Sequence, residues 1–458
     1  MYSTRGPMMS GRTLAKALTT TVVALAVIGS ITAWILSDNG YLPGDAMVRA
    51  WSAAKDRPTD GHANGTWVVG DVAVRSRFDA VTGFGLVDGQ NGKELWEYVP
   101  PGRAQICGSA RHADASVLLV AYGEEGGETS EPAPQGKGCA TVLALDVKDG
   151  RELWAAQRKV ATGRFGQGSQ FLDAGGDIAV VAHDHRDARL ARTKDDHTSL
   201  RALDLRTGKP RWTADMPDEC GTHKVSVGKE QVFAVLECGG GDTDDVGVGS
   251  TDGAELMMAA FDRETGALNW NVPMDDRRPL NLSATVVIES TDPLVLAVGR
   301  STNLDTGTHF SFGKDGRPRP GIEFDGDYGK IAAADASQTA IVGERMYALA
   351  GFWQKGQRHR LVAFDLTTGE EVWKVTLDDP AAALSARGDR ITVLGEWSTQ
   401  SSSISYLFEH DADNGEELDE RHFRDDVPGP ISVFYEHGGR IIVAGWGGGH
   451  TFTAFERW

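Results

Sequence analysis

The 458-residue chain predicts an all-β fold, an eight-bladed β-propeller of four-stranded blades with seven blades as the alternative, preceded by one N-terminal transmembrane helix. Three observations carry that prediction. Six times an Asp is followed four residues later by Gly, and in five of those cases a Trp stands four residues further on. The glycines at 92, 150, 208 and 266 are spaced by the same 58 residues, which marks an internal repeat. Ahead of the repeats, Ala17 to Leu36 is a run of twenty residues without a charge.

Taken from the N-terminus, residues 1–16 form a basic tail with Arg5, Arg12 and Lys16 and no acid. The uncharged run 17–36 is long enough to span a bilayer, and the basic flank argues for an uncleaved signal anchor with its N-terminus inside. A cleaved signal peptide is the competing reading, although Ile35-Leu36-Ser37-Asp38 offers no Ala-x-Ala site. Residues 37–47 read as a linker and 48–458 as the propeller. The expected location is a bacterial cytoplasmic membrane, single-pass, with the propeller outside.

The repeats are Asp88/Gly92/Trp96, Asp146/Gly150/Trp154, Asp204/Gly208/Trp212, Asp262/Gly266/Trp270, Asp365/Gly369/Trp373 and the Trp-less Asp411/Gly415. A short β-prone run precedes each Asp, as in Thr141 to Leu145, and a second follows each Gly, so each repeat is a hairpin. Gly supplies positive φ at the turn and Asp accepts hydrogen bonds from the turn's own amides. The Trp is expected to dock between neighbouring sheets, burying on the order of 200 Å². Upstream β-rich pairs such as Ser116 to Tyr122 and Gln231 to Cys238 bring each unit to four strands. A fifth unit is degenerate, with Phe312 where the Asp belongs and Pro320 near the missing Trp. The chain ends on Thr453-Ala454-Phe455-Glu456-Arg457-Trp458, which reads like a strand lacking its partner, and Arg49-Ala50-Trp51-Ser52-Ala53 reads like the Trp-bearing strand. Trp51 is therefore expected to supply the outer strand of the last blade and close the ring.

This pattern resembles the pyrroloquinoline-quinone-like repeat propellers, whose blades carry a similar Ala-x-Asp-x-x-Thr-Gly-x-x-x-Trp signature over roughly residues 45–458. It looks closer to the propeller lipoprotein of the outer-membrane barrel-assembly machinery than to a quinoprotein dehydrogenase. The resemblance specifies fold and leaves function open. The dehydrogenases of the family imply adjacent cysteines beside the cofactor and a calcium held by Glu, Asn and Asp in the channel. Here no two cysteines are adjacent, so no cofactor residue, catalytic residue or metal ligand is assigned.

Setting aside the three basic residues of 1–16, 43 Lys and Arg face 65 Asp and Glu, a net charge of −22. That repels nucleic acid and anionic lipid headgroups. Four cysteines in an external chain suggest two disulfides. Cys107 with Cys139 and Cys220 with Cys238 each lie at the same edge of one unit, and these are the expected pairs, with free buried thiols as the alternative.

Extra length gathers between the second and third strands of three units, at 124–138, 183–198 and 239–254, all emerging on one face of the ring. Such insertions mark a binding face, with neutral loop drift as the alternative. Glu124, Glu128, Arg189, Asp242 and Asp245 on the inserts, with Trp353, Trp397 and Trp446 near the starts of later loops, are the candidate contact residues. Solvated charge and core packing are the plain readings of the same residues. His183, His185 and His197, with nearby Asp residues, suggest a transition-metal site only weakly, because at most one pair of them is expected to converge. Asp411-Ala412-Asp413-Asn414-Gly415 is similar to a calcium loop, yet it coincides with the repeat's own turn. The expected function is a non-enzymatic scaffold or sensor for a cell-envelope protein, peptide or glycan, with a quinone-dependent dehydrogenase as the alternative. Oligomeric state is not legible in the sequence.

Overall fold

The computed structural model describes residues 11–38, 46–56, 65–123, 139–158, 170–183, 198–217, 220–238, 255–275, 277, 279–280, 284–299, 306–332, 337–353, 357–398, 401–428, 431–445 and 449–458. Past one helix, Gly11–Asp38, the described chain is strands and turns, with a single short 3-10 segment at Pro101–Arg103. Five four-stranded antiparallel sheets follow one another along the chain, spanning 65–98, 105–157, 172–215, 220–273 and 285–323. In each, strands pair in sequence order, so every unit is a four-stranded antiparallel meander. A sixth sheet covers 325–376 with two extra short strands on its inner side.

The last sheet has eight strands and is two four-stranded halves fused through the strand Ala46–Ser52. That strand pairs antiparallel with the C-terminal strand, Met47 opposite Arg457 and Ser52 opposite Thr453. On its other side it runs parallel to Glu417–Pro428, through Ala46 with His422 and Met47 with Phe423. Ser52 and Thr453, 401 positions apart, thus share one sheet, and the N-terminal strand covers the edge that the C-terminal strand would otherwise leave bare.

The core lies between sheets. Central strands such as Val117–Gly123 and Leu294–Gly299 are buried on both faces, as expected of strands sandwiched between neighbouring units. The recurring contact is Trp on Gly. Trp96 Nε1 donates to the Val147 carbonyl of the next unit at 2.9 Å, Trp154 to Leu205 at 2.8 Å, Trp212 to Arg263 at 2.8 Å, Trp270 to Lys314 at 3.0 Å and Trp373 to Ala412 at 3.2 Å. Each ring lies over the turn glycine of that next unit. Gly150 has φ of 69°, and a Cβ on it would sit 2.4 Å from Trp96 Cε3. Gly208 and Gly266 repeat the arrangement at φ of 68° and 74°, where a Cβ would fall 2.7 Å from Trp154 Cγ and 2.6 Å from Trp212 Cε3. The expectation that these glycines serve their own turns is therefore incomplete. Gly150, Gly208 and Gly266 are each fixed twice, by backbone angle and by the indole of the preceding unit stacked on the Cα. Their role is to seat the seam between units, and they present nothing to a ligand.

Two seams depart from this rule. Pro320 lies on Gly369 where the fifth unit has no Trp. At the closing seam Trp51 covers Gly92, but its buried Nε1 finds no acceptor. The Asp of each repeat caps its own turn: Asp262 Oδ1 accepts from Thr265 N at 2.8 Å and Thr265 Oγ1 at 2.7 Å. Asp204 does the same with Thr207 and adds Arg211 at 2.7 Å, and these bonds pull its carboxyl down to about 2. Asp411 accepts from the amides of Asp413 and Asn414, so a turn accounts for the calcium-like sequence.

One expectation is overturned. Among the described residues no helix is long and apolar enough to cross a membrane. The single-pass anchor at 17–36, the membrane contact through it, and the location drawn from it are therefore not upheld.

Candidate functional site

Two places in the ring combine chemistry with position. The first is the face from which the long connections 124–138, 183–198 and 239–254 depart. Glu124, Glu128, Arg189, Asp242 and Asp245 on these inserts lie outside the described residues, as do Trp446, His185 and His197. Trp353 and Trp397 fall within the strands Arg345–Trp353 and Arg390–Ser398, and their side chains lie outside the described set. What the structure does define is where two of the inserts are rooted. Cys107 is bonded to Cys139 and Cys220 to Cys238, with Cα separations of 5.8 and 4.1 Å. Cys139 directly follows the insert 124–138 and Cys238 directly precedes 239–254. Each bond ties the stem of an insert to its unit's innermost strand, Gln105–Ser109 or Cys220–Val227.

The second place is the wall of the central channel, lined by the first strand of each unit. Asp173, on the strand Leu172–Gly175, is fully buried. Its Oδ1 accepts from the amides of Arg111 at 3.1 Å and His112 at 3.4 Å, and its Oδ2 from Ser226 Oγ at 2.8 Å and Val227 N at 3.0 Å. One carboxylate thus joins the second, third and fourth units, with four donors offsetting the cost of burying its charge. On the neighbouring inner strand stand His223 and Lys224. Burial, with the Lys224 ammonium beside it, lowers His223 to about 4, and burial with the Arg111 guanidinium lowers Lys224 to about 8.

On the third strand of the fifth unit, Gly307–Phe312, His309 is buried with neither ring nitrogen hydrogen-bonded, its Nε2 3.4 Å from a carboxylate oxygen of Glu289 on that unit's first strand. Glu289 also receives Thr339 Oγ1 at 3.3 Å. Among the described residues no group of three His, Cys, Asp or Glu is arranged to hold a metal ion.

A third polar group binds the closing seam. Arg77 Nε donates to Asp56 at 3.0 Å, Arg75 Nη2 to the Gly445 carbonyl at 2.9 Å, and Tyr435 to the Thr66 carbonyl at 2.6 Å. Burial lowers both arginines to about 10. These residues tie the segment after the closing strand to the first and last units, which is a structural task.

Sequence reasoning missed the channel residues. Asp173, His223 with Lys224, and Glu289 stand on the first strands of the third, fourth and fifth units and Arg111 in the turn after the first strand of the second, but no residue type recurs there at a fixed spacing, so no periodic signal marks them. Only their departure from the apolar character of inner strands set them apart.

A family model described as outer membrane protein assembly factor BamB matches residues 48–306. No curated protein matches the sequence. Among solved structures, the computationally designed Ika8 protein is 11% identical with a TM-score of 0.51, covering 91% of this chain and all of its own. Quinohemoprotein alcohol dehydrogenase ADHIIG from Pseudomonas putida HK5 is 13% identical with a TM-score of 0.51, covering 91% of this chain and 77% of its own. BamB from Moraxella catarrhalis is 14% identical with a TM-score of 0.47, covering 89% and 99%. At these identities the structural likeness speaks to fold alone, and it is the match over more than half of the sequence that decides the family. The chain belongs to the pyrroloquinoline-quinone-like repeat propellers, in the family described as outer membrane protein assembly factor BamB.

Proposed function

We propose that this protein is a non-enzymatic binding scaffold, an eight-bladed propeller that holds a protein or peptide of the cell envelope on the face bearing its inserts. The observation that carries the reading is the pair of disulfides at the roots of two inserts, 124–138 and 239–254. A disulfide that fixes a loop stem lowers the ordering cost of presenting that loop to a partner. Membership in a family described by an assembly factor supports the same reading. Eight blades are favoured over seven because the fused last sheet divides into two four-stranded halves, one of them completed by Ala46–Ser52.

The contact residues proposed are Glu124, Glu128, Arg189, Asp242, Asp245, Trp353, Trp397 and Trp446. The test replaces 124–138 and 239–254 by short Gly-Ser connections and compares capture of envelope proteins by wild type and variant, with circular dichroism to follow the fold. Loss of capture with the fold retained supports the reading. Capture unchanged in a folded variant overturns it.

A quinone cofactor does not fit the residues present. All four cysteines are spent in disulfides that bridge sequence separations of 32 and 18, leaving no adjacent pair to face a cofactor. No described acidic cluster stands ready for calcium.

A further inference from the structure

The seam between the fifth and sixth units is built differently from its neighbours. Elsewhere the alanine two places before the repeat Asp lies opposite the Trp, as Ala144 does Trp154, Ala202 does Trp212 and Ala260 does Trp270. The indoles of Trp96, Trp154, Trp212 and Trp373 donate to the carbonyl that follows the next unit's Asp, at Val147, Leu205, Arg263 and Ala412. The fifth unit's turn is one residue shorter, with Gly316 N donating to the Gly313 carbonyl where Gly266 N donates to that of Asp262. Its strand Gly307–Phe312 therefore sets Ser311 at the alanine's place. Ser311 Oγ donates at 2.8 Å to the carbonyl of Leu366, the residue after Asp365, and so takes over the bond of the missing indole. Pro320 covers Gly369 in place of the ring.

The replacement holds the seam less tightly. An indole removes on the order of 200 Å² from water, which a hydroxyl and a Pro ring do not match. The fifth unit's fourth strand is two residues long, Ile322–Glu323, against six in Leu268–Pro273. Side chains alternate along Gly307–Phe312, so His309 faces the sixth unit with Ser311, while Phe310 and Phe312 pack towards the fourth. His309 lies against Phe324, ring centroids 4.7 Å apart, and beside Glu289, which accepts from Thr339 of the sixth unit. Both ring nitrogens of His309 and Oε2 of Glu289 are sealed without a hydrogen bond, and they regain water when the two sheets part. Apolar contact remains through Val295 and Ile322, and the half-exposed pair of Arg319 with Glu344 adds little. The half-sheet spanning 381–428 also lacks the Trp, but backbone pairing through Ala46–Ser52 joins it to the last unit. The closing seam is tied by Arg75 to Gly445 and by Tyr435 to Thr66.

We propose that the seam between the fifth and sixth units is the hinge of the ring and opens before any other. The short connection at Phe324 stays as the pivot. Opening swings the arc of units one to five, with both disulfides and the three inserts, against the rest of the ring. No strand pairing joins the two sheets, so none is broken. The width of the insert-bearing face changes with the motion, whether or not the inserts bind a protein.

Thiol labelling of the folded protein tests the hinge. All four cysteines are in disulfides, so an added cysteine is the sole free thiol. Ala297, paired with His309, is fully buried towards the sixth unit, and Val235, paired with Met258, is its buried counterpart at the seam of the fourth unit with the fifth. Under native conditions Ala297→Cys is expected to react with Ellman's reagent at least about tenfold faster than Val235→Cys, a difference that a looser seam of this kind supplies. Adding Ser311→Ala should speed the Ala297→Cys reaction by about a further fivefold, the weight of one neutral hydrogen bond, and leave Val235→Cys unchanged. Equal rates at the two positions, a faster Val235→Cys, or equal acceleration of both by Ser311→Ala overturns the proposal, the last because it marks unfolding of the whole ring. Should Ala297→Cys fail to fold, Ser311→Cys is read against Ala260→Cys, which stand at the same buried place of the two seams, with the faster reaction expected for Ser311→Cys and equal rates overturning the hinge.

Discussion

Replacing Gly150 by Ala tests the reading of the repeat most sharply. Gly150 stands at φ 69°, where an L-residue costs roughly 1–2 kcal/mol. Its added Cβ would lie 2.4 Å from Trp96 Cε3 and 2.5 Å from Cδ2, closer than carbon atoms approach. The indole is rigid and hydrogen-bonded to Val147, so relief requires the seam between the first and second units to open slightly. Overpacking of this kind costs about 1–3 kcal/mol. Gly150→Ala is therefore expected to destabilise by about 2–5 kcal/mol, the sum of the two costs. Gly70 is the control, with φ 55° and nothing within 4 Å of the place an added Cβ would take, so Gly70→Ala carries the backbone cost alone. Urea unfolding followed by tryptophan fluorescence and by circular dichroism measures both. In the Trp96→Ala background the excess cost of Gly150→Ala should vanish, giving a coupling energy of about 1–3 kcal/mol. Equal costs at positions 150 and 70 would refute the claim that the repeat glycine is there to admit the Trp.

Three further outcomes are expected. Trp154→Phe loses a 2.8 Å bond and leaves the Leu205 carbonyl without it, whereas Trp51 has no acceptor to lose, so Trp154→Phe should cost about 1 kcal/mol more than Trp51→Phe in the same unfolding assay. His223 is held neutral in the fold to about pH 4 while its unfolded counterpart protonates near 6.5, so its contribution is complete above 6.5 and is lost as pH falls towards 4; His223→Gln should flatten the fall in unfolding midpoint over that window. Changing Cys107 and Cys139 together to Ser, or Cys220 and Cys238 together, should lower stability by roughly 3–4 kcal/mol for each pair on chain-entropy grounds, and reductant should then have less further effect on the variant than on wild type.

The legible part of this protein is the part that repeats. Asp, Gly and Trp recur because the same turn and the same seam are built again and again, and a spacing of 58 residues exposes them. The stacking of Trp96 on Gly150, of Trp154 on Gly208 and of Trp212 on Gly266 was not legible. The members of each pair belong to different units, and only their separate roles in a turn and a strand are written locally. Pro320 at the fifth seam shows why the degenerate unit still packs: a ring of a different residue covers Gly369. Features outside the repeat escaped. Arg111 reaches Glu289 across 178 residues, and nothing near either position announces the other. The uncharged run 17–36 carries the opposite lesson, because length and hydropathy there suggested an anchor that the described helix does not support.

The central claim is that the insert-bearing face engages a protein partner. In-cell cross-linking of the full-length chain, followed by mass spectrometry of the purified adducts, addresses it directly. The account predicts a reproducible protein partner joined through residues of 124–138 or 239–254. Recovery of a bound quinone or glycan with no protein linked to those segments would contradict it.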